Sequence, residues 1–184
     1  MQVSSNVRPP DHHYHPTMPL NTLQSLFAQK SWANNELFKV LATVNAEQHA
    51  VAVHTAIRTL NHIYVVDRIF QAHLSSKQHG YRATNTDATP DFGVLQLAVA
   101  ETDAWFETYA SATAINALSD KVSFRFTDGD TGTMTREEIL LHVITHGSYH
   151  RGNVGQVLKS ISVAPPRDLY TKFLHVREPS RRQA

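Results

Sequence analysis

The chain has 184 residues, enough for one domain with a core of its own, and it contains no cysteine. That excludes disulfides, iron–sulfur clusters, cysteine-ligated zinc and a cysteine nucleophile. Seventeen basic against sixteen acidic side chains leave no charge excess with which to hold a nucleic acid, whereas twelve histidines direct attention to metal chemistry.

Residues 1–19 are polar and interrupted by Pro9, Pro10, Pro16 and Pro19, so a flexible N-terminal arm is expected. Its opening MQVSSNVRPP lacks the apolar core of a signal peptide, and no apolar run in the chain reaches bilayer length, which gives the expectation of a cytoplasmic protein with no membrane partner. The arm carries His12, His13 and His15, but neighbours on a flexible segment lack the fixed geometry of a specific ion site.

From Leu20 the pattern turns helical. Leu23, Phe27, Asn34, Leu37, Leu41 and Val44 repeat at three and four residues and predict a first helix with one apolar stripe, in which Asn34 faces inward and needs a hydrogen-bond partner. A second helix is predicted from about Val51 to Leu74, with a wide apolar face that includes Leu60, Val65 and Phe70. His62 lies near its middle. There it is either an ordinary core histidine or one of the inward side chains from which a helix bundle builds a metal site. Asp67 and Arg68 read as a solvated or interhelical pair of small net value.

Residues 75–90 are polar and turn-rich, longer than an antiparallel helix hairpin needs, so the connection can cross an end of the molecule and set a third helix parallel to the second. Asp91 is the predicted N-cap of that helix, which runs to about Ala112. In KVSFRFTDGDTGTM the period changes to two around Asp128-Gly129, predicting a short β-hairpin. Thr135 with Glu138 then forms a capping box for a fourth helix, from Arg136 to about Ile161. This helix contains Gly147, Gly152 and Gly155, each costing about 1 kcal/mol relative to alanine, which close helix contact or metal ligation should offset. Pro165-Pro166 ends it, and RDLYTKFLHV reads as a short amphipathic turn or helix.

The fourth helix carries the chemistry. His142, His146 and His150 in LLHVITHGSYHRGNV are spaced by four, an advance of only about 40° past a full turn, so they share one side. Two imidazoles one turn apart are how a helix chelates a divalent ion, and the 146/150 pair is favoured over 142/146 because Gly147 permits a close approach at that turn. A pair is incomplete, and the third ligand should come from a facing helix. The competing reading is that these are partly buried histidines bonded to carbonyls or water.

At this point WANNELF in the first helix, NHIYVVDRIF in the second, LLHVITHGSYHRGNVGQVL in the fourth and PPRDLY after it together resemble the DinB/YfiT-like metalloenzymes of the DinB superfamily. The resemblance runs from about Leu20 to Leu174. It implies an all-α fold, a four-helix bundle of up-down-down-up course with the hairpin between helices three and four, occupying residues 20–176 and followed by a C-terminal tail, 177–184. It also implies that His62, His146 and His150 ligate one divalent ion, nickel or zinc, while His142 stands one turn too early.

The function expected from this is a metal-dependent enzyme acting on a small-molecule substrate. The resemblance points to a transferase or isomerase with a low-molecular-weight thiol as cosubstrate, and to a homodimer. Tyr64, Tyr149 and Asn153 are the candidates for orienting substrate or ligands. Two alternatives remain: hydrolysis by metal-bound hydroxide, for which no carboxylate stands at a suitable spacing, and a non-catalytic, stress-related dimer in which the ion only ties helices two and four together.

Overall fold

A computed structural model describes residues 21–182. The arm with His12, His13 and His15, and Leu20, lie outside the described residues. Within them, four long helices are followed or separated by shorter elements: α1 (Thr22–Leu41), α2 (Ala50–Leu74), α3 (Phe92–Ala112), the strands β1 (Lys121–Arg125) and β2 (Thr131–Thr135), α4 (Arg136–Ser160) and α5 (Tyr170–Arg177). The fold is therefore mostly helical with one antiparallel hairpin.

The helix ends follow local chemistry. At α1 the Asn21 side chain accepts from the Gln24 amide and the Gln24 side chain accepts from the Asn21 amide, a reciprocal cap not anticipated from the sequence. Asp91 caps α3 by accepting from the Gly93 and Val94 amides. At α4, Thr135 Oγ1 accepts from the Glu138 amide at 3.2 Å and Glu138 Oε2 accepts from the Thr135 amide at 2.7 Å, as predicted. Val44, predicted within the first stripe, lies beyond its end because α1 stops at Leu41.

The most extensive helix pairs are α2 with α4 and α1 with α3, and contacts of α1 with α4 and of α2 with α3 join the two pairs. Two apolar clusters fill the interior. One contains Phe27, Phe70, Phe106, Phe124 and Leu140, the other Leu37, Leu60, Ile63, Leu95 and Val154. Phe27 and Phe106 lie nearly parallel with centroids 5.2 Å apart, an offset stack binding α1 to α3. Truncating fully buried Phe106 to alanine costs about 3–5 kcal/mol by the usual core rule.

The hairpin pairs Phe124 with Gly132 and Val122 with Met134, and its turn places Gly129 at a φ of 102°, a conformation that suits glycine. A two-stranded hairpin is marginal alone. Here β1 rests on α2 and β2 on α4, with Phe124 buried against Phe70. The predicted C-terminal tail is partly regular, since Pro179–Arg181 form a 3-10 turn after α5.

Two sequence expectations need correction. Asp67 is not solvated: it is 2 % exposed, because Lys30 of α1 reaches it through the core. Close packing accounts for only one of the three glycines of α4, since a Cβ on Gly147 would meet Arg151 Nη1 at 3.2 Å, whereas one on Gly155 would make an ordinary contact with Pro165 at 3.5 Å and one on Gly152 would enter open space.

Candidate metal centre

The close pairing of α2 with α4 brings His62 opposite His146 and His150. One ring nitrogen from each of the three lies within 4.8 Å of the others. His62 Nε2 and His146 Nε2 are 3.0 Å apart. Two nitrogens at the usual bond length of about 2.0–2.1 Å from one tetrahedral ion stand about 3.3 Å apart, so the pair is within a few tenths of an ångström of the separation a shared cation requires.

The ring orientations have identifiable causes. His62 Nδ1 lies 2.7 Å from the Thr84 carbonyl oxygen, to which it donates, and that bond fixes the tautomer leaving the Nε2 lone pair turned towards His146. Thr84 is itself held in place by its neighbours. Asn61, next to His62 and buried, donates to Asn85 and to Thr86 Oγ1 (2.7 Å), and the Asn85 amide returns a bond to the Arg58 carbonyl (3.0 Å). The polar connection between α2 and α3 is thereby folded back along α2.

His146 is the most buried of the group in its electrostatic effect. Desolvation first, then the rings of His150, His62 and His142 and the Lys30 ammonium, push its pKa down to about 3, so it is a neutral donor at neutral pH. Its Nδ1 is buried with no hydrogen-bond partner among the described residues. His150 is also lowered, by burial and then by His62. Imidazole nitrogens suit zinc, nickel, copper or iron, and the group can hold a metal ion.

The other singled-out residues fall at graded distances. His142 stacks on His146 with centroids 5.4 Å apart and lies tilted against Phe70 at 4.9 Å, and it is not among the three whose nitrogens converge. Asn153 Nδ2 stands 3.4 Å from His150 Nδ1, and the exposed Tyr149 ring meets His150 edge-on at 5.0 Å. Tyr64 instead packs against the Leu60–Ile63–Val154 core.

Two clefts meet at the triad. One, of about 370 Å³, is bounded by the polar residues His54, Arg58, Asn85, His62 and His150. The other, of about 390 Å³, is mainly apolar and has His62 and His146 in its wall with Phe70, Phe124, Phe126 and Met134.

Behind the triad lies a buried polar network that the sequence reading missed. Lys30 Nζ donates to Asp67 Oδ2 (2.7 Å) and Asp103 Oδ1 (2.5 Å), Asn34 donates to Asp103 Oδ2 (2.8 Å), and Arg151 donates to Asp168 Oδ2 (2.7 Å) and Asn34 Oδ1 (3.3 Å). Burial would lower the Lys30 pKa, but Asp103 and Asp67 outweigh it and hold the ammonium above its ordinary value. Burial pushes the Asp67 carboxyl up to about 6 against the pull of Lys30. The inward Asn34 was a legible sign of this network. Lys30, one turn earlier on the same face, was the part that could have been found with it.

A family model described as the DinB family matches residues 18–182. The chain belongs to the DinB family. The match covers every helix that carries a converging histidine, so membership in the DinB family and the three-histidine group are two agreeing observations on the same segment. No curated protein matches the chain. Among the described residues, no helix is long and apolar enough to cross a membrane.

Proposed function

We propose that this DinB-family protein is a metal-dependent enzyme in which His62, His146 and His150 ligate one divalent ion, zinc or nickel. The observation that carries the reading is the opposed pair of His62 Nε2 and His146 Nε2 at 3.0 Å, with the far nitrogen of His62 secured by the Thr84 carbonyl. The third imidazole, His150, has a ring nitrogen within 4.8 Å of both, which a simple pair of hydrogen-bonded core histidines does not need.

When bound, a divalent ion on three neutral imidazoles supplies a Lewis acid that holds a thiol as thiolate at neutral pH. The chain's own residues supply the rest. Thr84 keeps the His62 lone pair aimed at the site, and burial keeps His146 unprotonated. The cleft beside Arg58 and His150 gives a hydrophilic low-molecular-weight thiol its approach, and the apolar cleft takes the electrophile. The reaction class supported best is therefore thiol transfer or thiol-dependent isomerisation. A closed metal staple is disfavoured by the same observation, since clefts reach the triad from two sides.

The same reading takes the four long helices as an up-down-down-up bundle, residues 20–176 as one domain, the cytoplasm as its location and a homodimer as its assembly. A mass by light scattering across a dilution series tests the last. The decisive experiment for function is elemental analysis of untagged protein followed by a screen of low-molecular-weight thiols against electrophiles. Protein free of stoichiometric metal after purification and after incubation with zinc or nickel would overturn the reading.

A further inference from the structure

The cleft on the apolar side of the triad has a composition more specific than a generic mouth. α2 contributes Val66, Ile69 and Phe70, and the hairpin contributes Phe124, Phe126 and Met134. Its rings form a continuous aromatic surface: Phe124 meets Phe70 edge-on at 5.7 Å and Phe126 edge-on at 5.0 Å, His73 stacks on Phe124 at 4.9 Å, and Phe70 contacts His142 at 4.9 Å. Such a surface offers both faces and edges to another ring.

The lining contains no aspartate or glutamate, so a cationic group entering there would be desolvated without a counter-charge. Its one arginine, Arg125, is exposed at the rim. The interior thus selects an uncharged body. Size agrees: dry apolar cavities of about 150 Å³ hold one benzene, and this one, at about 390 Å³, admits a ring with substituents.

The hairpin is shaped to present Phe126 at the entrance. Gly132 stands opposite Phe124, and a Cβ there would lie 2.7 Å from Phe126 Cε2, so the missing side chain is what lets the ring lie across that strand. Phe126 remains 44 % exposed, a large apolar ring held at the mouth and half in water, where a bound ligand would cover it.

We propose that this cavity receives the uncharged aromatic body of a small substrate whose metal-binding or reacting end lies at His62 and His146. The inference rests on the metal reading above and adds the class of electrophile, an aromatic or aryl-bearing compound.

The test uses zinc-loaded full-length protein and two chelators with the same head, benzohydroxamate and acetohydroxamate. Benzohydroxamate should bind about tenfold or more tightly, the gain from burying one ring. In Phe126→Ala that preference should shrink by about threefold or more while zinc content stays at the wild-type value. A separate arm needs no metal: benzyl alcohol should shift the Met134 methyl resonance of metal-free protein. Equal affinity for the two hydroxamates, or no shift at Met134, overturns the aromatic site even if zinc binds. Absence of zinc binding with a clear Met134 shift overturns the metal reading and leaves the aromatic site standing.

Discussion

Lys30 Nζ sits 2.7 Å from Asp67 Oδ2 with both side chains sealed from solvent, so an ion pair between α1 and α2 lies directly beneath the helix turns that carry the histidines. Desolvation makes such a pair a weak net source of stability, yet removing one partner strands the other. Lys30→Met should therefore destabilise the fold by about 3–5 kcal/mol at neutral pH, measured by denaturant titration. The sign with pH is opposite to simple acid lability. Burial already holds the Asp67 carboxyl up at about 6; without the ammonium that pulls it down its folded pKa rises further above the unfolded value, and the deficit of the variant should narrow as pH falls. A deficit independent of pH would mean the ion pair is not its source.

Alanine at His62, His146 or His150 should each remove most of the bound metal, and His142→Ala should leave it largely in place, because its ring faces Phe70 and the flank of His146. Elemental analysis of the four purified variants reads this directly. Full occupancy in His146→Ala would overturn the ligand assignment.

Asn61→Ala removes no ligand. It releases Asn85 and Thr86, and with them the segment whose Thr84 carbonyl orients His62. Loss of such outer support lowers metal affinity by about tenfold or more. Competition against a chromophoric chelator measures it, and unchanged affinity would show that the connection does not steer the ring.

The metal-free protein should lose stability on mild acidification. His146 has a folded pKa near 3 against an ordinary 6.5, so below about pH 6.5 the unfolded chain takes up a proton that the native site refuses, and stability falls until about pH 3. His150 and His142 are lowered in the same direction. Protons also compete with the ion, so the gain in melting temperature on adding metal should be larger at neutral than at mildly acidic pH and vanish in a His62→Ala, His150→Ala double variant. Thermal melts with and without chelator at two pH values check both effects. A metal-dependent gain that survives in the double variant would place the ion elsewhere.

The sequence exposed what periodicity and spacing control. The helix spans, the Asp91 and Thr135 caps, the hairpin at Asp128-Gly129 and the inward Asn34 all follow from local rules, and the spacing of His146 and His150 put two ring nitrogens on one face of α4. What could not be read was pairing across the chain. Nothing near Asp67 announces that Lys30, 37 positions away, will neutralise it, and nothing near His62 announces that the carbonyl of Thr84 will set its tautomer. The apolar cleft was equally hidden, since Phe124 lies on a strand, Phe126 just past its end and Phe70 on a helix.

The hairpin supplies no converging nitrogen, and it meets the helices of the triad through Phe124 against Phe70 and His73 and through the wall of the cleft. On the proposed function, selectivity and reactivity fall on separate pieces of chain. Substitutions at exposed Phe126 can retune which molecules are admitted while the imidazoles keep their arrangement, whereas Phe124, buried in the core cluster, ties the hairpin to α2 and α4. The wall is in that sense adjustable at its rim and anchored at its root.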